Sequence, residues 1–355
     1  MFIEFIKYIY PVLIAIFCTF TAIVLLRPFA IRINHTDKPN DRKLHVGSVP
    51  LIGGLAMFFG MLVTILVLPN NLHNFNYFLL VSIILVSIGV LDDHHDISIL
   101  LRFMFQGLVA VIIVSGGQLS ILSFGNLFGS GEVMLNGWAY LITVIAIIAG
   151  INAVNMADGI HGLAAGNSLI TFIAILLLSI GNIPYQNLWI PIIFCSILPI
   201  FLIFNLCIGV AASKRIFMGD SGSMFIGVGI VWLLLDFSQG ESQVFKPVTA
   251  LWLFAAPLID MVSIFINRIV SGNSPFKADT LHMHHLLLQL GIKERSVLLI
   301  ILLFSLLMAV VGILGEIYEA AEWVMFSGFL IIFVGYMFWN KVIIRKIKDN
   351  TELSY

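Results

Sequence analysis

The feature that most limits what this chain can fold into is a succession of eleven long apolar runs, at approximately 3–26, 51–69, 77–91, 100–117, 136–153, 163–181, 187–209, 216–235, 246–268, 297–315 and 322–342. Crossing a ~30 Å hydrocarbon core takes about 20 mostly apolar residues, and only helices and closed barrels satisfy their own backbone there. The runs are continuous rather than alternating, which selects helices. Only 10% of the 355 residues are charged and the mean hydropathy is +1.07, against about a quarter charged in ordinary globular domains. The expectation is an all-α, polytopic integral membrane protein with about 11 transmembrane helices. No repeat period or low-complexity linker divides it, so residues 1–355 read as a single membrane-embedded domain. The first run is long enough to span and lacks a small-residue cleavage site, so it reads as a retained helix.

Charge placement gives the direction of threading. Arg27, Arg32, Lys38, Arg42 and Lys43 follow the first run, and the remaining basic residues recur at every second connection. Of all Lys and Arg, only Lys7 and Lys246 fall on the opposite side. The positive-inside rule makes the basic side cytoplasmic, so the N-terminus faces out and the C-terminus in. A net charge of -1 gives no global pull toward nucleic acid. Cys18, Cys195 and Cys207 lie inside apolar runs and read as small buried hydrophobes.

Chemistry-bearing residues crowd the cytoplasmic side. Every histidine except His73 lies there, as do Asp92, Asp93, Asp96, Asp158 and Asp220. In "DDHHD", Asp92 and Asp96 are expected to share a helix face, with Asp93 turned by about 100°. A mildly acidic membrane boundary would account for one acid, but three so close call for a divalent cation or a proton. In "INAVNMADGIHGLAAG", Asn152, Asn155 and Asp158 recur every three residues and are expected to converge on one spot. Helix packing alone would explain the glycines there, though not the amides and the acid. "KRIFMGDSGSMFIG" reads as a helix N-terminus whose N–H groups, beside Asp220, suit a phosphate or an ordinary cap. "SPFKADTLHMHHLLLQLG" presents His282, His284 and His285, which with Arg268 suit a diphosphate or sugar better than zinc, since no cysteine is near. Lys38 belongs to a basic loop whose charge either sets topology or meets phosphate. Asp260, inside the ninth run, is costly in lipid and is expected to face the interior.

Taken together and in this order, the segments resemble the polyprenyl-phosphate N-acetylhexosamine-1-phosphate transferases, over nearly the whole chain. "SPFKAD" followed by "HMHH" resembles the members that use UDP-GlcNAc, rather than the peptidoglycan relatives that transfer phospho-N-acetylmuramoyl-pentapeptide. The resemblance implies a bacterial inner-membrane enzyme that moves GlcNAc-1-phosphate from UDP-GlcNAc to undecaprenyl phosphate, releases UMP and uses Mg²⁺, with Mn²⁺ as a substitute. The product would initiate surface polysaccharide of the O-antigen or enterobacterial common antigen type. By the same resemblance Asp92, Asp93 and Asp158 are catalytic, with Asp92 the base for the acceptor phosphate, and Asp220 and Asp93 hold the metal. Lys38, Asp96, Asn152, Asn155, His161, Arg268, His282, His284 and His285 meet the substrates, while His94 and His95 fill variable positions. Membrane lipids are the surrounding partners, and the uniformly apolar faces are compatible with a homo-oligomer. One departure stands out: the family commonly carries Asp-Gly-Ile-Asp-Gly where this chain reads Asp158-Gly159-Ile160-His161-Gly162. The competing class is a metal- or proton-coupled transporter, which would place its ionisable groups nearer the bilayer midplane.

Overall fold

The computed structural model describes residues 2–37, 48–68, 74–240, 243–274 and 281–352. Thirteen α-helices carry the described chain: α1 (Phe2–Arg32), α2 (Gly53–Val67), α3 (Phe75–His95), α4 (Ile99–Ser115), α5 (Ala139–Ala157), α6 (Leu163–Ser179), α7 (Trp189–Asn205), α8 (Gly219–Ser238), α9 (Pro247–Leu253), α10 (Ala255–Val270), α11 (Met283–Gln289), α12 (Glu294–Ile317) and α13 (Glu322–Glu352). Two short strands, β1 (Thr36–Asp37) and β2 (Val49–Pro50), pair antiparallel.

All eleven apolar runs are helical, but not all are long enough to span. Among the described residues six helices are long and apolar enough to cross a membrane, or seven if α9 and α10 count as one span bent by 88°. The bend has a chemical cause. Pro257 lacks an N–H and its ring crowds the carbonyl four residues back, and that residue is Leu253, the last of α9. The other four apolar helices, α2, α4, α6 and α7, have 15 to 17 residues. At ~1.5 Å per residue they reach about 23–26 Å, short of the ~30 Å core.

Helix α8 is the axis of the molecule, with nearly every residue after Asp220 in its first four turns buried. Such burial is reached by backbone-to-backbone approach at glycines. A Cβ on Gly89 of α3 would strike the backbone of Ser221, and one on Gly54 of α2 would strike that of Gly222. The start of α2 is knitted to the chain just before α8, since Gly53 N–H donates to the Phe217 carbonyl at 2.9 Å and Gly54 N–H to that of Met218 at 3.0 Å. Helices α2, α3 and α8 therefore begin or end at one level, and α5 reaches the same level at Asn155.

Aliphatic and phenylalanine side chains of α1 to α8 form one apolar core around Phe194, Phe201 and Phe225. A second core joins α9 to α13 around Trp252, Val297 and Phe329.

Candidate active site

The aspartates of "DDHHD" separate into distinct positions. Asp92, 3% exposed, accepts the Ile97 N–H on Oδ1 at 3.1 Å and forms an ion pair through Oδ2 with Arg102 of α4. The same guanidinium nitrogen lies 3.7 Å from Asp220 Oδ2 in the first turn of α8. Asp220 Oδ1 accepts the Asn155 side-chain N–H at 2.6 Å, and Asn155 also donates to Ser223 Oγ at 2.8 Å. Four helices thus deliver two carboxylates, one guanidinium and one amide to one point.

Asp93 faces elsewhere. Its oxygens accept the N–H groups of Asp220 at 2.8 Å and Ser221 at 3.4 Å. It therefore caps α8 from a neighbouring helix, satisfying donors that have no intrahelical partner. Of the two readings of this helix start, phosphate site or cap, the structure shows a cap on the Asp220 and Ser221 N–H groups, supplied by Asp93.

A second polar group gathers at α11. Asp260 accepts three donors: His282 Nδ1 at 2.8 Å, the Met283 N–H at 2.9 Å and the Tyr336 hydroxyl at 2.6 Å. His284 is 2% exposed and packs against Gly159, where a Cβ would collide with its Nε2. Burial holds the His284 imidazole down at about 3, with His285 and His282 adding to the effect. The neighbouring imidazoles crowd together, with ring centroids 4.2 Å apart for His284 and His285 and 5.6 Å for His282 and His284. Gly159 thereby brings the histidine segment against the end of α5. His161 Nε2 lies 3.1 Å from Arg215 Nη1, and its backbone N–H donates to Glu294 at 3.2 Å. Arg268 is 7% exposed, with its guanidinium 5.9 Å from the Phe265 ring centre.

Two sequence expectations are corrected here. Asp96 does not share a helix face with Asp92, because α3 ends at His95 and Asp96 adopts a left-handed conformation (φ 48°) with its N–H on the Asp92 carbonyl at 2.9 Å. Asn152, Asn155 and Asp158 do not converge. Each three-residue step falls about 60° short of a full turn, so six residues drift about 120°. Asn152 accordingly donates to Gln106 of α4 at 2.6 Å, Asn155 to Asp220, and Asp158 is an exposed cap at the end of α5. Lys38 lies outside the described residues. His94 and His95 are exposed.

Sequence reading assigned Arg102 only to topology. Its signal was position: a cation in the first turn of a helix opposes the macrodipole, and here carboxylates compensate it. Among the described residues no three His, Cys, Asp or Glu side chains form a group able to hold a metal ion unaided. The cation that Asp92 and Asp220 face is the Arg102 guanidinium, and Asp220, with its side chain 32% exposed, is the carboxylate open to a metal. One carboxylate suits Mg²⁺, which draws the rest of its shell from water and substrate phosphate.

Many apolar helices, with carboxylates and a guanidinium gathered at one level, define a polytopic membrane enzyme built for anionic substrates. Residues 75–238, which carry Asp92, Arg102, Asn155 and Asp220, match Glycosyl transferase family 4. Similar proteins include the undecaprenyl-phosphate alpha-N-acetylglucosaminyl 1-phosphate transferase of Haemophilus influenzae, 41% identical over 332 residues covering 92% of this chain and 93% of the relative. The protein of the same name from Escherichia coli K12 is 38% identical over 91% of this chain and 89% of its own length. That of Yersinia pestis is 38% identical over 87% and 85%. The chain belongs to this family of transferases.

Proposed function

We propose that the protein transfers GlcNAc-1-phosphate from UDP-GlcNAc to undecaprenyl phosphate, giving undecaprenyl-diphospho-GlcNAc and UMP. The observation that carries this reading is the meeting of Asp92, Arg102, Asn155 and Asp220, in a chain so similar to transferases of that name. An oxygen of the lipid phosphate attacks the phosphorus that bears GlcNAc, and the bond from that phosphorus to the bridging oxygen of UMP breaks. Asp92 accepts the proton of the acceptor phosphate, raising its charge for attack. Arg102, already between two carboxylates, offsets charge on the donor diphosphate. Asn155 orients Asp220, and Asp93 keeps α8 in register beneath it. Asp220 would hold Mg²⁺, which when bound supplies positive charge to the diphosphate and its leaving oxygen.

Direct attack needs no protein nucleophile, and we favour it over a covalent intermediate. His282, His284, His285 and Arg268 form the donor side, with His161 tuning donor binding through Arg215. Asp158 keeps the catalytic role that the resemblance gives it, and Asp96, Asn152 and Lys38 complete the proposed substrate-facing set. The chain is read as one domain in the bacterial inner membrane, its eleven apolar runs threaded with a periplasmic N-terminus and a cytoplasmic C-terminus, the four shorter helices lying among the full-length spans. In that topology the site opens to the cytoplasm, where a nucleotide sugar is available, and the product feeds surface polysaccharide. The names of the relatives do not favour the muramoyl-pentapeptide donor.

The test is UMP release by the purified protein with undecaprenyl phosphate and Mg²⁺. UDP-GlcNAc should outpace UDP-GalNAc and the muramoyl-pentapeptide nucleotide; release that ignores the lipid phosphate would refute the reading.

A further inference from the structure

Asp260 lies in α10, within the apolar half of the bent pair, yet its side chain is only 13% exposed. A carboxylate so placed is expensive, and an apolar side chain would hold helices together at lower cost. Its oxygens are used in a specific way. Oδ1 takes the Tyr336 hydroxyl of α13 and the N–H of Met283, fixing the carboxylate and the first turn of α11 together. Oδ2 is thereby aimed at His282, whose own side chain is 9% exposed, and meets Nδ1 at 2.8 Å. With three donors converging, the carboxylate acts as acceptor. The hydrogen of this contact therefore resides on His282 Nδ1, and Nε2 is the ring atom left for a substrate.

We propose that Asp260 is a positioning residue for the transfer reaction, fixing the tautomer and ring orientation of His282 so that Nε2 faces the donor, with Tyr336 holding Asp260 in place. A carboxylate behind a working histidine is a general way to set both properties, and losing such a partner costs about 10- to 100-fold where the histidine binds a metal. The inference rests on the assignment of His282 to the donor side, and it makes the C-terminal helix part of the site's support.

Two readouts on the full-length protein in lipid test it. The first needs no turnover: the ¹⁵N spectrum of histidine-labelled protein, with the His282 signal identified by its loss in His282→Ala. The wild type should show a proton fixed on Nδ1, and Asp260→Asn should lose that fixed state; a ring protonated at Nε2 alone in the wild type overturns the proposal. The second is a double-mutant comparison of UMP release. Asp260→Asn should lower kcat about 10- to 100-fold and change the pH profile. Combined with His282→Ala it should add no further loss. Asp260→Glu should recover part of the rate, and Tyr336→Phe, which removes one donor and leaves the carboxylate, should cost less than Asp260→Asn. Multiplying losses in the double variant, or full activity in His282→Ala, overturn the positioning role. Failure of the wild type to release UMP would instead count against the transferase reading, while the spectrum would still decide the state of the ring.

Discussion

The aspartate cluster and the histidine cluster are built in opposite ways. The aspartates are held by long helices that meet at glycines, and Arg102 offsets the charges of Asp92 and Asp220, with the Asp220 side chain 32% exposed. The histidines ride on a seven-residue helix that is tied to the membrane helices through one buried carboxylate, Asp260. The first arrangement gathers charge where substrates and cations arrive. The second buries and directs imidazoles, and burial keeps that of His284 neutral. Negative groups that face cations and neutral groups that face hydroxyls are what a phosphosugar donor requires.

The largest effect that sharpens this contrast belongs to Arg102. Arg102→Ala should lower kcat by about 10²-fold or more, the scale for removing one positioned charge or donor. Arg102→Lys should recover only part, because an ammonium lacks the planar fork. Next comes Asp93. If it serves chiefly as a cap, Asp93→Ala should lower stability by about 0.5–2 kcal/mol, read as a fall in thermal unfolding temperature in detergent. Activity should fall with it only as far as α8 loosens; total inactivation of a protein with wild-type stability would return Asp93 to the chemistry.

A further effect is a pH dependence in the histidine cluster. The folded His284 ring sits at about 3, against an ordinary 6.5, so between these values the unfolded chain binds more protons than the folded one. Stability should therefore decline as pH falls from 6.5 toward 3. His284→Gln should flatten that decline, measured as unfolding temperature against pH. An equal slope in the variant would mean that the ring is not held neutral.

The helices were legible because lipid leaves a continuous apolar run few other options, and the acids stood out against that background. Less legible was the use of each acid. Adjacent Asp92 and Asp93 look equivalent as residues, yet the helix turns one toward Arg102 and the other toward the start of α8. Asn152 and Asn155 looked like one face, and the helical drift sends them to Gln106 and Asp220. Asp260 could be marked as interior from its cost alone, but its partners lie 22 and 76 residues away, beyond any local pattern. The break before α10 had a signal in Pro257, which an apolar count passes over.

The central claim is that Asp92 of "DDHHD" and Asp220 of "GDSGS" carry the chemistry and that His94 and His95 do not. It is tested by initial rates of UMP release from four variants at equal folded amounts. Asp92→Asn and Asp220→Asn should abolish transfer, whereas His94→Ala and His95→Ala, exposed at the end of α3, should retain most of it. Comparable loss in all four would contradict the account.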